Sequence, residues 1–144
     1  MSEMTAKEYL EQYCHLDCDI KIKQYQLSRL RELADLVSPF GNGSGSGEPS
    51  DKVGKTAAKV VDAENEIREM VNELITLKRN IEKIIGYVND DGFRRILTLR
   101  YINGHTFEKI ADELGYSRMQ IYRLHRKALE KVKNVIECYI CLVI

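Results

Sequence analysis

The side chains best suited to chemistry lie in one short stretch. From Arg118 to Lys133 the sequence sets Arg118, Arg123, Arg126, Lys127, Lys131 and Lys133 against a single acid, Glu130, with Gln120 and Tyr122 among them. Arginine pairs with the O6 and N7 of guanine through two hydrogen bonds, and glutamine can do the same with adenine. Lysines and the later arginines suit phosphate oxygens, which fix affinity and register rather than sequence. This is the chemistry of reading nucleic acid. Covalent chemistry has no comparable support. The chain has no phosphate-binding glycine loop with a following Lys-Ser/Thr, no His-Glu-x-x-His and no nucleophile elbow. His15, His105 and His125 have no carboxylate or nucleophile at motif spacing. They read as surface or helix-face residues, with His125 close to a phosphate. Neither an enzyme nor a cofactor is expected.

Such side chains need a scaffold. Ile121, Leu124, Ala128 and Val132, with Leu129 beside them, give the basic stretch an inner face at helical spacing. Ser117 opens Ser-Arg-Met-Gln, a capping box with Gln120 at the third helical position. Upstream, Phe107, Ile110, Ala111 and Leu114 predict a helix over 106–114, with Thr106 as its N-cap and Gly115 at its left-handed end. Phe93, Ile96, Leu97, Leu99 and Ile102 predict another over 91–102, ended by Asn103-Gly104, since both residues tolerate positive φ. Two helices joined by a short glycine-containing turn form the helix-turn-helix layout. The second of them enters the major groove, with its first residues nearest the bases.

The preceding two thirds is patterned differently. In residues 1–38, Ala6, Tyr13, Ile20, Leu27 and Ala34 recur by sevens, as do Tyr9, Leu16, Leu30 and Val37, the second row being interrupted by Lys23. This is a coiled-coil face on a first long helix. Residues 39–50, rich in Gly and Ser and carrying Pro39 and Pro49, predict a flexible linker. In residues 51–90 one row holds Val53, Val60, Ile67, Leu74, Ile81 and Val88, and the other Ala63, Met70, Leu77 and Ile84. Each helix would run about 50 Å. An antiparallel hairpin fits this pattern, and so does a parallel dimer of each helix. Val61, Val71, Ile75 and Ile85 widen the second stripe. A wide stripe favours more than one packing partner, so a homo-oligomer, a dimer, is expected through 51–90. The helix-turn-helix domain takes 91–137, and an apolar tail 138–144.

Net charge is zero but unevenly distributed. Residues 1–90 carry 12 Lys and Arg against 16 Asp and Glu, and residues 91–144 carry 10 against 6. The charged start lacks the apolar stretch of a secretory signal, and no apolar run could span a bilayer. A cytoplasmic protein away from membranes, with its four cysteines reduced, is expected. Cys14 and Cys18 share a helical face, and Cys138 and Cys141 form C-x-x-C. Four thiolates could bind zinc. The helical setting of the first pair favours cysteines acting as small apolar residues instead, and no metal is expected. The tail is expected to extend the last helix and pack on Val88, Ile85 or a second subunit.

The run from Leu97 to Ser117, Leu-Thr-Leu-Arg-Tyr-Ile-Asn-Gly-His-Thr-Phe-Glu-Lys-Ile-Ala-Asp-Glu-Leu-Gly-Tyr-Ser, followed by Ile121 to Leu129, resembles region four of bacterial sigma factors. That module recognises the promoter −35 element and touches RNA polymerase. Over about residues 4–136 the chain is similar to small phage- and prophage-encoded proteins of Gram-positive bacteria, related to the ArpU-type phage transcriptional regulators. In that family a long helical part, with a Gly/Ser loop and a Ser-Asp-Lys-Val-Gly junction (here Ser50 to Gly54), precedes a sigma-like helix-turn-helix. The resemblance implies that Arg118, Gln120, Tyr122, Arg123 and Arg126 face DNA and that Thr106 and Lys109 lie near a phosphate. Ser117 and Lys127 complete the candidate DNA-binding set. No counterpart of sigma region two is present, so −10 recognition is not expected. The implied partners are double-stranded DNA and RNA polymerase.

The expectation is therefore an all-α protein, a long helical hairpin or coiled coil followed by a three-helix helix-turn-helix domain. Its expected role is that of a sequence-specific, phage-derived transcription regulator. A polymerase-binding adaptor and a structural coiled-coil protein stand as alternatives.

Overall fold

The structure, a computed structural model, describes residues 4–37 and 51–143, with side chains over 4–36 and 54–139. The linker expected at 39–50, the seam positions Val37 and Val53, and the side chain of Cys141 lie outside those residues. Among the described residues there is no strand. The all-α expectation holds: α1 spans Ala6–Val37, α2 Asp51–Gly86, α3 Asp91–Leu97, α4 Phe107–Leu114 and α5 Arg118–Val143, with a π-helical segment Thr98–Ile102 directly after α3. The chain forms two compact units, one of Met1–Leu16 with Leu74–Ile144 and the other of Asp17–Glu73.

In the Asp17–Glu73 unit, the middle and end of α1 pair with the first half of α2. Ile20 and Leu27 are buried, and Leu30, Val60, Ala63, Ile67 and Met70 are half-buried, in agreement with the heptad rows. Lys23, which interrupts a row, sends its ammonium to Glu66 at 3.1 Å, and Arg31 reaches Glu64 at 2.5 Å. Later residues of α1 meet earlier residues of α2, which is the order of an antiparallel pair. The widened stripe divides unevenly: Val61 is exposed and Val71 half-buried in this unit, while in the other unit Ile75 is exposed and Ile85 buried.

That other unit has two apolar clusters. The first gathers Leu10 from α1, Ile81, Ile84 and Ile85 from α2, Val88, Leu97 from α3, Tyr101, and Ala128 and Val132 from α5. Ala6, Tyr9 and Tyr13 of α1 and Val135 and Ile136 of α5 pack around it. The second, made of Ile96, Ile110, Ala111 and Ile121, holds α3, α4 and the start of α5 together, with Leu99, Phe107, Leu114 and Leu124 at its edge. Leu10, fully buried, falls outside the two heptad rows. A two-helix seam does not call for it. It is buried because the first turns of α1 meet a larger core, where the Cys14 thiol also donates to the Tyr101 carbonyl at 3.3 Å.

The ends of these helices follow local rules. α2 stops at Gly86, before the expected residue 90, because Tyr87 and Val88 tighten back onto the carbonyls of Ile84 and Ile85 at 3.1 and 3.0 Å. Asp90 then accepts from the Phe93 amide at 2.9 Å and starts α3. The span 91–102 is helical as expected but changes geometry, closing as a π turn in which the Asn103 amide donates to the Thr98 carbonyl at 3.0 Å. Only Gly104 of the Asn103-Gly104 pair takes positive φ, +72° against −85° for Asn103. α5 continues through residue 143, so the tail prolongs the last helix. Among the described side chains, Val135 and Ile136, just ahead of the tail, pack against the first cluster, while those of residues 140–144 lie outside the described side chains. Among the described residues no helix is long and apolar enough to cross a membrane.

Candidate nucleic-acid interface

The turn between α4 and α5 is built by backbone chemistry that the sequence announces. Gly115 caps α4 in the left-handed region at φ +74°. Only glycine takes that conformation without a Cβ penalty. The capping box closes in both directions: the Gln120 amide donates to Ser117 Oγ at 3.2 Å, and the Ser117 amide donates to Gln120 Oε1 at 3.0 Å. Thr106 caps α4, its Oγ1 accepting from the Lys109 amide at 3.2 Å. α5 then turns Ile121, His125, Ala128 and Val132 inward. Arg118, Gln120, Tyr122, Arg123, Arg126 and Lys127 are all exposed.

These residues have different freedom to bind. Arg123 and Arg126 lie near the middle of the outward face, where neither has an acidic partner among the described residues. Gln120 and Lys127 flank them on one side and Tyr122 on the other. Gln120 Oε1 is engaged twice, by the Ser117 amide and by its hydroxyl at 3.2 Å. A paired hydrogen bond to adenine would need that oxygen, so the expectation of Gln120 as an adenine reader requires the cap to open. Arg118 pairs with Glu108 at 2.6 Å. Both side chains are well exposed, and a pair of that kind is worth at most about 1 kcal/mol, so a phosphate can replace Glu108. The same pair ties the start of α5 to the first turn of α4, bringing Thr106, Lys109 and Arg118 to one edge. Ser117 and Thr106 spend their hydroxyls on helix caps. Met119, which the reading of the basic stretch passes over, is 72% exposed on the outward face beside Arg123. Its position on the same helical wheel is the signal that marks it.

Aromatic packing fixes the flank. The Phe107 ring lies 5.0 Å from Tyr122 and 4.8 Å from His125, with the Arg100 guanidinium 4.1 Å above it. Tyr122 is thereby oriented although half its surface is open. His125 departs from the expectation of a surface residue near a phosphate. It is 7% exposed, and its Nε2 shares a hydrogen bond of 2.6 Å with the Tyr101 hydroxyl. Burial, reinforced by the charges of Arg100 and Lys7, pushes its pKa down to about 4, so the ring is neutral at physiological pH. Burial pushes the Tyr101 phenol up. His105 is half-buried, with Nδ1 3.4 Å from Glu113, whereas His15 is exposed.

Among the described residues no three His, Cys, Asp or Glu side chains are grouped to hold a metal ion. Cys14 is half-buried, and Cys18 and Cys138 are exposed. A cleft of about 370 Å³ lies away from the outward face of α5, lined by Asp91, Arg94, Arg95, Thr98, Leu99 and Leu114.

With this geometry in place, comparison with known proteins is specific. Residues 90–134 match the family described as Sigma-70, region 4. They form a sigma region-four-like helix-turn-helix. Relatives include RNA polymerase sigma factor SigO of Bacillus subtilis, 41% identical over 44 residues, covering 31% of this chain and 25% of that protein. RNA polymerase sigma-F factor of Bacillus licheniformis is 37% identical over 60 residues, covering 42% of this chain and 22% of that one. The chain thus spans about a quarter of the length of these relatives. No solved structure matches it. The region-four-like segment begins at Asp90, the N-cap of α3, and ends in α5 beyond Val132, so it holds both the caps and the outward basic face.

Proposed function

We propose that this protein is a sequence-specific, double-stranded-DNA-binding transcription regulator of phage origin, acting in the cytoplasm as a dimer, with no catalytic step of its own. The observation that carries the proposal is the outward face of α5. Arg123 and Arg126 stand there exposed, with Met119 beside them, on a helix whose start is held by a closed capping box. Arg123 and Met119 lie nearest the base edges. Arg126 and Lys127 meet phosphates on the outward side, and Arg118, Thr106 and Lys109 do so at the other edge. A dimer carries two such helices, and its geometry would set the spacing of half-sites.

The test is an Arg123→Ala, Arg126→Ala double variant titrated against duplexes selected from a random pool. Wild-type affinity falls steeply with salt, as expected for released counterions. The variant keeps its helical signal, binds at least about tenfold more weakly and shows a shallower salt dependence, by roughly one counterion for each phosphate it no longer engages. A folded variant with unchanged affinity and salt slope rules the proposal out.

A second reading is an adaptor that holds RNA polymerase. The cleft lined by Asp91, Arg94, Arg95, Thr98, Leu99 and Leu114 favours it, since it sets the apolar Leu99 and Leu114 beside Arg95 while Arg94 is paired with Asp91. Co-purification with polymerase in the absence of DNA, abolished in an Arg95→Glu variant, would support this second role.

A further inference from the structure

The Asp17–Glu73 unit leaves one face of α1 uncovered. Ile22, Tyr25, Leu33 and Leu36 are 51%, 69%, 51% and 81% exposed. At 3.6 residues per turn they fall within about 80° of arc, opposite the side on which Ile20 and Leu27 meet α2. Single exposed apolar residues need no explanation, but four aligned along about four turns of one helix form a stripe. Arg29 lies in the middle of it, joined to Glu32 at 3.3 Å.

From this stripe we infer that a second copy of the chain docks on α1, antiparallel, about a two-fold axis passing through Arg29. This rests on the dimer proposed above and specifies its surface, placing it on α1 rather than on the second long helix. The argument is the spacing. Ile22 and Leu36 are each seven positions from Arg29, and Tyr25 and Leu33 are each four. An antiparallel copy centred there sets Ile22 against the partner's Leu36 and Tyr25 against the partner's Leu33, so every apolar residue of the stripe meets another. A two-fold interface requires that kind of self-complementarity. The charges agree. At the axis Arg29 faces the partner's Arg29, each guanidinium neutralised by its own Glu32 at 3.3 Å, so the centre carries no net charge, and Gln26 faces the partner's Glu32. A parallel pairing would stack each Glu32 on its own copy as well as each Arg29, which adds a second like-charge contact.

Sedimentation equilibrium of the full chain under reducing conditions tests the surface. The wild type is a dimer, and a Tyr25→Lys, Leu33→Lys variant self-associates at least tenfold more weakly with unchanged helical signal and melting of the monomer. If the wild type is monomeric at high micromolar concentration, dimerisation itself is overturned. If the wild type is a dimer and the variant dimerises equally well, this surface is overturned while the dimer stands. Orientation is read by cross-linking in a background with Cys14, Cys18, Cys138 and Cys141 replaced by Ala. Ile22→Cys and Leu36→Cys chains link when mixed and not separately. Efficient self-linking of Ile22→Cys overturns the antiparallel arrangement.

Discussion

His125 lies on a basic helix and invites a role at phosphate, but it serves the core. Its side chain is buried on the same helical face as Ile121 and Ala128, and among the described residues its hydrogen-bond partner is the Tyr101 hydroxyl. With a folded-state pKa near 4 against an ordinary value of 6.5, the unfolded chain takes up a proton between those values and the native chain does not. Stability is therefore full above pH 6.5 and declines as the pH falls towards 4, by roughly 3 kcal/mol for this group at most. Thermal melting of wild type and His125→Phe across that window isolates the contribution, since the variant loses this part of the pH dependence. Tyr101→Phe strands the imidazole nitrogen and lowers stability by about 1–3 kcal/mol at pH 7. The burial was legible in part. Ile121, His125, Ala128 and Val132 follow the spacing of an inner face. The partner Tyr101 lies 24 residues away, in a π-helical turn that the apolar spacing of its segment does not announce.

Among the elements, those set by local chemistry were readable. Thr106, Gly115 and the Ser117–Gln120 box do what their residue types dictate, because each cap closes within three or four residues. Ser117→Ala removes one partner of the box and costs about 1 kcal/mol. Amide hydrogen exchange checks it at the first turn of α5, where protection of the Gln120 amide falls while the Val132 region is unchanged. The same variant loosens the hold on Gln120 Oε1, so any adenine preference that depends on Gln120 strengthens as stability drops. The heptad rows were readable too, and they placed Ile20, Leu27, Ile67 and Ile81 correctly. They missed Leu10, since a periodicity reports that a face is buried and not what buries it.

For the molecule as a whole, the division by sequence pattern and the division by packing differ. Pattern separates long helices from a terminal DNA-binding segment. Packing joins the first 16 residues to everything after Leu74. Leu10→Ala therefore destabilises the unit that carries the recognition helix by about 2–5 kcal/mol, read as a lower melting temperature and as DNA binding that fails at lower temperature. Non-local partnerships of this kind leave no trace in spacing or composition, and they set the limit of what the chain's pattern discloses. They also impose an order on synthesis. Leu10 leaves the ribosome well before Val132, yet both belong to one core. Residues 17–73 have both of their helices once that span has emerged, whereas the core that holds α5 waits for Ala128 and Val132. A nascent chain that has not reached Val132 can expose its apolar stripes while its larger core stays open.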